Sequence, residues 1–594
     1  MRNTTETVPH SVELTLRSNG AASVVSERRD GHWESVSSDE FLDEVQHFAS
    51  GLLQLGIQKG DTFGIMAASS PRWLIADLGA MAAGCSTVPM FVNIADENLR
   101  YQLVDSDLKY IFVEGEEALE RIRPFASRFK LVVHAKAGSG NDESVIGFAD
   151  VIERGKAAAK KDPQLLGCML EALDPNAVAT IIYTSGSTGS PKGVELSHAN
   201  LLSQIEASGE RFPLEGEEDV ALSCLPLAHV FERMVVYYYL CSGTPISFVD
   251  DIQNVGTCLK EVKPTTITMV PRLLEKVYGR LREGAEQKLL LKRLIARWAI
   301  RRAFQESTSR EKGWKDRFAD KLVYSKFREG LGGNFRRIIA GGAALSPKLH
   351  RFFLNIGLPV YQGYGLTEAA PVLTTNFPGH NKIGTVGQAF PGVDLRVSPE
   401  GEILARGENV MLGYHHARAA TRGVIDERGW LHTGDLGHFD RDGYLVIDGR
   451  AKEMLKTSNG KYVSPIPIEQ GLCESSLIDM AMVVAEGKPF VSALLFVDPV
   501  ALESLRGHRD HGKSAEDLMS SRRFLNRVEA RVNKVNAGLN EWEQVRAYRC
   551  VCGVPSIDKE ELTPTMKLKR GVVEEHFHKE INAVYSGHEN IMSD

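Results

Sequence analysis

From about Trp33 to Gly115, short apolar runs alternate with longer stretches in which apolar residues recur every three or four positions. TFGIMAA, STVPMFV and KYIFVEG read as strands, with FLDEVQHFASGLLQLG and PRWLIADLGAMAAG as helices between them. That alternation is the mark of strands joined through helical crossovers and predicts an α/β layered core. KAGSGNDE, from Lys136 to Glu143, reads as a turn-rich surface loop, and KAAAKK, from Lys156 to Lys161, as a solvated helix end. Neither marks a domain boundary, and no internal repeat is visible.

Between Glu275 and Gly330 the pattern becomes helical, and basic residues outnumber acidic ones two to one. Leu291, Leu294, Ile295 and Trp298 fall at i, i+3, i+4 and i+7, so they share one helix face. Periodicity does not say what covers that face. Either the helix packs on its own domain with its basic side in water, or it lies on an anionic membrane in which an apolar substrate is dissolved.

The 594 residues are 43% hydrophobic and 25% charged, which excludes disordered, collagen-like and coiled-coil chains. Seventy basic against 77 acidic side chains, a net charge of -7, offer no polycationic surface for nucleic acid. Eight cysteines lie far apart except for Cys550 and Cys552, with no His or Cys at zinc spacing, and so read as reduced thiols. The polar start MRNTTETVPHSVELTL lacks the apolar core of a signal peptide, and the longest apolar runs fall well short of the roughly 20 residues that span a bilayer. The expectation is a cytoplasmic protein, at most peripheral on the inner face of a membrane.

The chemistry concentrates first in a β-like run, Ile181-Ile182-Tyr183, entering a loop of small residues: Thr184-Ser185-Gly186-Ser187-Thr188-Gly189-Ser190-Pro191-Lys192-Gly193. Small residues let backbone N–H groups approach an anion, and the hydroxyls and one lysine add donors, so the loop suits a triphosphate. It is not a Walker A loop, because Pro191 precedes Lys192 and Gly193 follows it.

YTSGSTGSPKGV resembles the phosphate loop of the acyl-adenylate-forming (AMP-binding) superfamily, and further segments resemble the family's other motifs in the family's order. Leu225-Pro226-Leu227-Ala228-His229-Val230-Phe231-Glu232-Arg233 resembles the segment beside the acyl pocket. Gly341-Gly342-Ala343 and Tyr361-Gln362-Gly363-Tyr364-Gly365-Leu366-Thr367-Glu368 resemble the adenine- and metal-binding strands. His432-Thr433-Gly434-Asp435 stands where the family usually has Tyr-Thr-Gly-Asp, and Asp448-Gly449-Arg450-Ala451-Lys452 resembles its hinge. LPLAHVFER, VPRLLEKVYGRL, GQAFPGVDLRV and LTPTMKLKR look closest to long-chain fatty acid–CoA ligases.

The resemblance implies a large N-terminal α/β domain of several layered subdomains (1–449), a hinge (450–453) and a smaller, mobile α+β C-terminal domain (454–594). It implies ATP, Mg2+ and coenzyme A. Thr184, Ser185, Gly186, Ser187, Thr188 and Gly189 would hold the phosphates. Gly342, Ala343, Gly363, Tyr364, Gly365 and Thr367 would line the adenine site, with Tyr364 offering a π face. Asp435 and Arg450 would take the ribose, Glu368 with Thr184 would hold Mg2+, and Lys456 would lie toward the pantetheine channel. His229 is either a satisfied core histidine or a group that positions the carboxylate and the entry of the second substrate. Of Tyr237, Tyr238 and Tyr239, which could help line an acyl tunnel, at least one should be ordinary packing.

A carboxylate must then attack the α-phosphorus of a tetra-anionic nucleotide, so catalysis is mostly positioning and charge neutralisation, with Lys192 and a lysine from the C-terminal part as the cations. That lysine comes from Thr563-Pro564-Thr565-Met566-Lys567-Leu568-Lys569, where Lys567-Leu568 replaces the family's common Ser-Gly. Counting from Thr565 gives Lys569, with Lys567 as the substitute. Two other readings stay open: an acyl-AMP ligase that delivers to a carrier protein, and an inactive acyl- or AMP-binding scaffold. Each buried CH2 is worth about 0.8 kcal/mol, so a tunnel takes long chains readily but separates neighbouring lengths poorly.

Overall fold

The computed structural model describes residues 6–136, 145–162, 167, 170–184, 191–305, 313–475, 477–503, 505–506, 512, 514–556, 559–562 and 568–586. The expected surface loop at 136–143 lies almost wholly outside them. The chain divides into two compact units. The first comprises 1–398, 403–433 and 439–446, and the second 399–402, 434–438 and 447–594.

Two large sheets form the first unit. An eight-stranded sheet contains Thr62–Met66, Ser86–Pro89 and Tyr110–Val113, the three runs read as strands, paired in parallel through Thr62–Met66. Its far edge is antiparallel, where Val178–Thr184 pairs with Lys192–Ser197 and that strand with Gly413–Tyr414. The helix Ser38–Gln54 starts in a reciprocal cap between Ser37 and Glu40 and buries Phe41, Leu42, Val45, Phe48 and Leu52. It crosses the helix Phe148–Lys161 at very short range, for a Cβ on Gly155 would stand 1.7 Å from the His47 carbonyl oxygen. Only glycine permits that approach.

The second sheet has nine strands. Its middle is parallel, with Ile246–Phe248, Ala221–Ser223, Thr266–Met269, Arg337–Ala340 and Val360–Gly365 side by side. Thr266–Met269 is buried along its whole length, as a parallel strand covered on both faces is, although its sequence TITM alternates polar and apolar residues.

The basic stretch folds into the helices Pro271–Glu286 and Leu290–Ala303, followed by a third helical run from Trp314 to Glu329 whose middle, Asp320–Tyr324, widens to a π-helix. Leu290–Ala303 packs through Ala296, Ala299, Ile300 and Ala303, whose small side chains bring it close to the domain. The face sharing Leu291, Leu294 and Trp298 therefore points outward, at 72%, 53% and 37% exposure, while Ile295 is half-buried. Among the described residues no helix is long and apolar enough to cross a membrane.

In the second unit a three-stranded sheet, Ile478–Val484, Val491–Val497 and Val545–Cys552, sorts its side chains by the two-residue period of a strand. Ala481, Val483, Ala493 and Leu495 pack with Phe524, Val528 and Val532 of the helix Arg522–Asn536. Met482, Val484, Leu494 and Phe496 pack with Val573 and Ile581 of the last two helices. A separate two-stranded ribbon, Leu455–Lys456 with Tyr462–Val463, turns at Gly460.

Candidate active site

In open parallel sheets, ligand sites gather beyond the carboxyl ends of the strands. Four adjacent strands of the nine-stranded sheet bring the predicted segments to one such edge. Ala221–Ser223 leads into 224–229 and His229, Thr266–Met269 into Val270, Arg337–Ala340 into Gly341-Gly342-Ala343, and Val360–Gly365 into Thr367 and Glu368. Gly342 (φ +80°) and Ala343 are exposed there. Gly363, Tyr364 and Thr367 are half-buried. At Gly365 a Cβ would lie 1.8 Å from the Pro371 carbonyl oxygen, so glycine alone lets the chain double back to place Glu368 on the short turn Thr367–Ala369.

The eight-stranded sheet supplies the phosphate-loop ends. Thr184 and Lys192 face each other across antiparallel strands, and both are half-buried. Ser185, Gly186, Ser187, Thr188 and Gly189 lie outside the described residues. The ammonium of Lys192 sits 4.8 Å from the centroid of the Tyr414 ring, and the Tyr414 hydroxyl donates to Glu368 Oε1 at 2.8 Å. Burial beside that carboxylate pushes the Tyr414 phenol strongly upward, so it stays protonated as a donor. Next to it, His415 Nδ1 is 2.6 Å from Glu195 Oε1, a hydrogen bond that raises the imidazole pKa.

The LPLAHVFER segment is fastened by its own polar residues. His229 precedes the helix Val230–Leu240 and its Nδ1 accepts from the Phe231 N–H at 3.2 Å, so one ring nitrogen serves as a helix cap. Phe231 lies against Gly341, where a Cβ would meet its ring at 3.0 Å. Glu232 is buried. It accepts from Ser223 Oγ at 2.6 Å and from Thr268 Oγ1, tying together the ends of two parallel strands. Loss of solvent pushes its carboxyl up to about 7. Arg233, 1% exposed, binds the fully buried Asp77 through Nε (3.1 Å) and Nη2, and reaches Thr180 and Thr87 at 2.7 and 2.6 Å.

Tyr237, Tyr238 and Tyr239 are all core residues. Tyr237 donates to Asp77, Tyr238 to the Phe212 carbonyl, and Tyr239 lies 3.3 Å from Thr266 Oγ1. Their hydroxyls are all engaged within the core.

In the second unit Arg450 Nε donates to Asp435 Oδ1 at 2.8 Å, which brings the two predicted ribose residues together. The Gly434 N–H donates to Glu402 at 3.0 Å. Lys456 stands exposed on the ribbon, its ammonium 5.5 Å from the Tyr462 ring centroid and its N–H bonded to Glu486. Lys569 is half-buried directly before the helix Arg570–His576, and its N–H donates to the Glu561 carbonyl at 2.8 Å. A bridge between Leu562 and Leu568 closes the segment that contains Lys567, which itself lies outside the described residues, as does the Lys452 side chain.

Sequence reasoning missed Tyr414, Glu232 and Asp77. Tyr414 had one local signal, a Gly-Tyr step in VMLGYHH, but its partners lie 46 and 222 residues away. As for a cation, the Glu368 carboxylate has one oxygen held by Tyr414, and among the described residues Oε2 makes no hydrogen bond or ion pair. One hard oxygen donor of this kind, with the Thr184 hydroxyl, suits Mg2+ that takes its other ligands from phosphate and water.

The model of the AMP-binding enzyme family matches residues 15–415, and that of the AMP-binding enzyme C-terminal domain matches 452–589. A Mycobacterium bovis protein named long-chain-fatty-acid–CoA ligase FadD15 is 36% identical over 570 residues, covering 94% of this chain and 93% of that one. Long-chain-fatty-acid–CoA ligase ACSBG2 of Xenopus laevis is 28% identical, covering 98% and 84%. Two solved structures share the fold at 19% identity. The adenylation domain of a carboxylate reductase from Mycobacterium chelonae has a TM-score of 0.75, covering 98% of this chain and 91% of that one. The anthranilate–CoA ligase AuaEII bound to anthranoyl-AMP has a TM-score of 0.73, covering 98% and 99%. Two family models spanning nearly the whole chain, and a relative 36% identical along 94% of it, establish that the chain belongs to the AMP-binding enzymes.

Proposed function

We propose that this protein is an AMP-forming long-chain fatty acid–CoA ligase. It activates the acid with ATP to acyl-AMP and pyrophosphate, then passes the acyl group to coenzyme A and releases AMP. The observation that carries the reading is the 36% identity with a long-chain-fatty-acid–CoA ligase along 94% of the chain.

In this reading Lys192 and the phosphate loop neutralise the triphosphate, and Lys569 adds a second cation during adenylation. Asp435 and Arg450 hold the ribose, Tyr364 stacks on adenine, and Gly342, Ala343, Gly363, Gly365 and Thr367 let the base approach the backbone. Glu368 and Thr184 would hold Mg2+, which supplies positive charge at the β- and γ-phosphates. His229 positions the carboxylate, with its Nδ1 engaged as a cap. A C-terminal unit that rotates about 450–453 would withdraw Lys569 and bring Lys456 toward the pantetheine arm, keeping the mixed anhydride from water between the half-reactions. The test is thioester production across short to very long acids, with coenzyme A and a carrier protein compared as acceptors. Carrier-protein acylation without acyl-CoA would favour the ligase that loads carriers, and no ATP–pyrophosphate exchange with any acid would favour a scaffold.

The second part of the proposal is contact with an anionic membrane. Residues 287–302 hold six basic side chains and no acidic one. Around them Leu289, Leu290, Leu291, Leu294, Trp298, Trp314 and Phe318 are between 37% and 78% exposed. Apolar anchors ringed by cations match a surface of anionic lipid. Vesicles containing phosphatidylglycerol should sediment the protein at low salt, and the Leu290→Glu/Leu291→Glu variant should remain in solution. Equal sedimentation of both proteins, or of neither, would overturn this contact.

A further inference from the structure

We infer that Tyr414 is a positioning residue that holds the phosphate-loop lysine and the metal-binding glutamate apart on a single ring. The inference rests on the roles proposed above for Lys192 and Glu368. The ring face carries the Lys192 ammonium at 4.8 Å, and the hydroxyl donates to Glu368 Oε1 at 2.8 Å. Among the described residues Lys192 and Glu368 form no ion pair with each other.

The backbone explains why Tyr414 can do this. Residues 411–415 bridge the two segments: the Met411 N–H donates to the Glu368 carbonyl at 2.9 Å, and the His415 N–H to the Gly193 carbonyl at 2.7 Å. Tyr414 pairs with Val194, and its own N–H donates to Thr421 Oγ1 at 2.9 Å. Tyr414 is 9% exposed, so its position is fixed by packing.

The physical need is specific. A site that must bind a polyphosphate with a lysine and a cation with a carboxylate carries opposite charges side by side, and free side chains would neutralise one another. A phenol between them satisfies both without joining them: its π face attracts the ammonium and its O–H binds the carboxylate. Lys192 and Glu368 are thereby oriented before the nucleotide arrives, and less ordering is left for the binding step.

The experiment is calorimetric titration of ATP into the full-length protein with and without Mg2+, for the wild type, Tyr414→Phe, Tyr414→Leu and Glu368→Gln. Phenylalanine keeps the ring and removes the hydroxyl. Tyr414→Phe should therefore bind ATP normally without Mg2+ but lose about tenfold of the strengthening that Mg2+ brings, the scale of a hydrogen bond to a charged group. Tyr414→Leu should also weaken binding without Mg2+, because Lys192 loses its platform. A merely structural role would lower the thermal midpoint and leave the Mg2+ effect in Tyr414→Phe at its wild-type size, and that result overturns the inference. Loss of the effect in Glu368→Gln alone removes the inference and leaves the reading of Glu368 standing. A wild-type effect in both variants removes the two together.

Discussion

Arg233 and Asp77 offer a quantitative test of how the helix after His229 is anchored. They are 1% and 0% exposed and 156 residues apart, joined by two hydrogen bonds, with the Arg233 guanidinium 5.3 Å from the Trp73 ring centroid. Replacing Asp77 by leucine strands a guanidinium in a dry site, where loss of one partner of a buried pair costs about 3–5 kcal/mol. Changing Arg233 to methionine in the same protein removes the stranded charge. The two threonines remain satisfied, since Thr180 Oγ1 still donates to the Thr87 carbonyl at 2.8 Å and Thr87 Oγ1 to the Ala179 carbonyl at 3.3 Å. Only the Tyr237 hydroxyl loses its acceptor, at about 1–3 kcal/mol. The single variant carries that same loss, so Asp77→Leu/Arg233→Met should be about 3–5 kcal/mol more stable than Asp77→Leu alone, a difference that urea unfolding followed by tryptophan fluorescence resolves. If the double variant loses as much as the two single losses added together, the pair is not the anchor described.

Lys569→Ala should abolish adenylate formation and leave thioester formation from supplied acyl-AMP largely intact, read by pyrophosphate exchange against acyl-CoA production; equal loss of both steps would refute a role confined to the first. For Glu232 the folded carboxyl titrates near 7 against an ordinary 4.5, so the folded protein keeps a proton that the unfolded chain gives up. Its contribution is complete below about pH 4.5 and is lost as pH rises toward 7, by about 3 kcal/mol. Glu232→Gln should flatten the unfolding midpoint between pH 5 and 7, and an unchanged slope would contradict the burial argument. Gly365→Ala forces a Cβ onto the Pro371 carbonyl and should reduce adenylation at least about tenfold by displacing Glu368; activity within twofold of wild type would show that the turn yields.

The predicted strands and helices before Gly115 were legible because each is a local pattern of apolar positions, and the segments 341–343 and 361–368 stood out because their glycines and acid occur in short contiguous runs. Strand order placed those runs at a common sheet edge, which no single run encodes. Tyr414, Glu232 and Asp77 were hidden because each acts through groups distant in the chain, Asp77 most plainly. The basic helix shows another limit: the spacing of Leu291, Leu294 and Trp298 showed that they share a face, but the alanines at 296, 299 and 303 decided that the opposite face packs.

The facing of Thr184 and Lys192 across two strands restricts how this connection can be lengthened or shortened, by evolution or by design. Side chains alternate sides along a strand, so inserting or deleting one residue in a way that slips the pairing by one step would swing the Lys192 ammonium through to the reverse of the sheet. A two-residue slip would return it to its original side. Among close homologues, length changes between these positions should therefore come in even steps, or be absorbed before Lys192 without moving it.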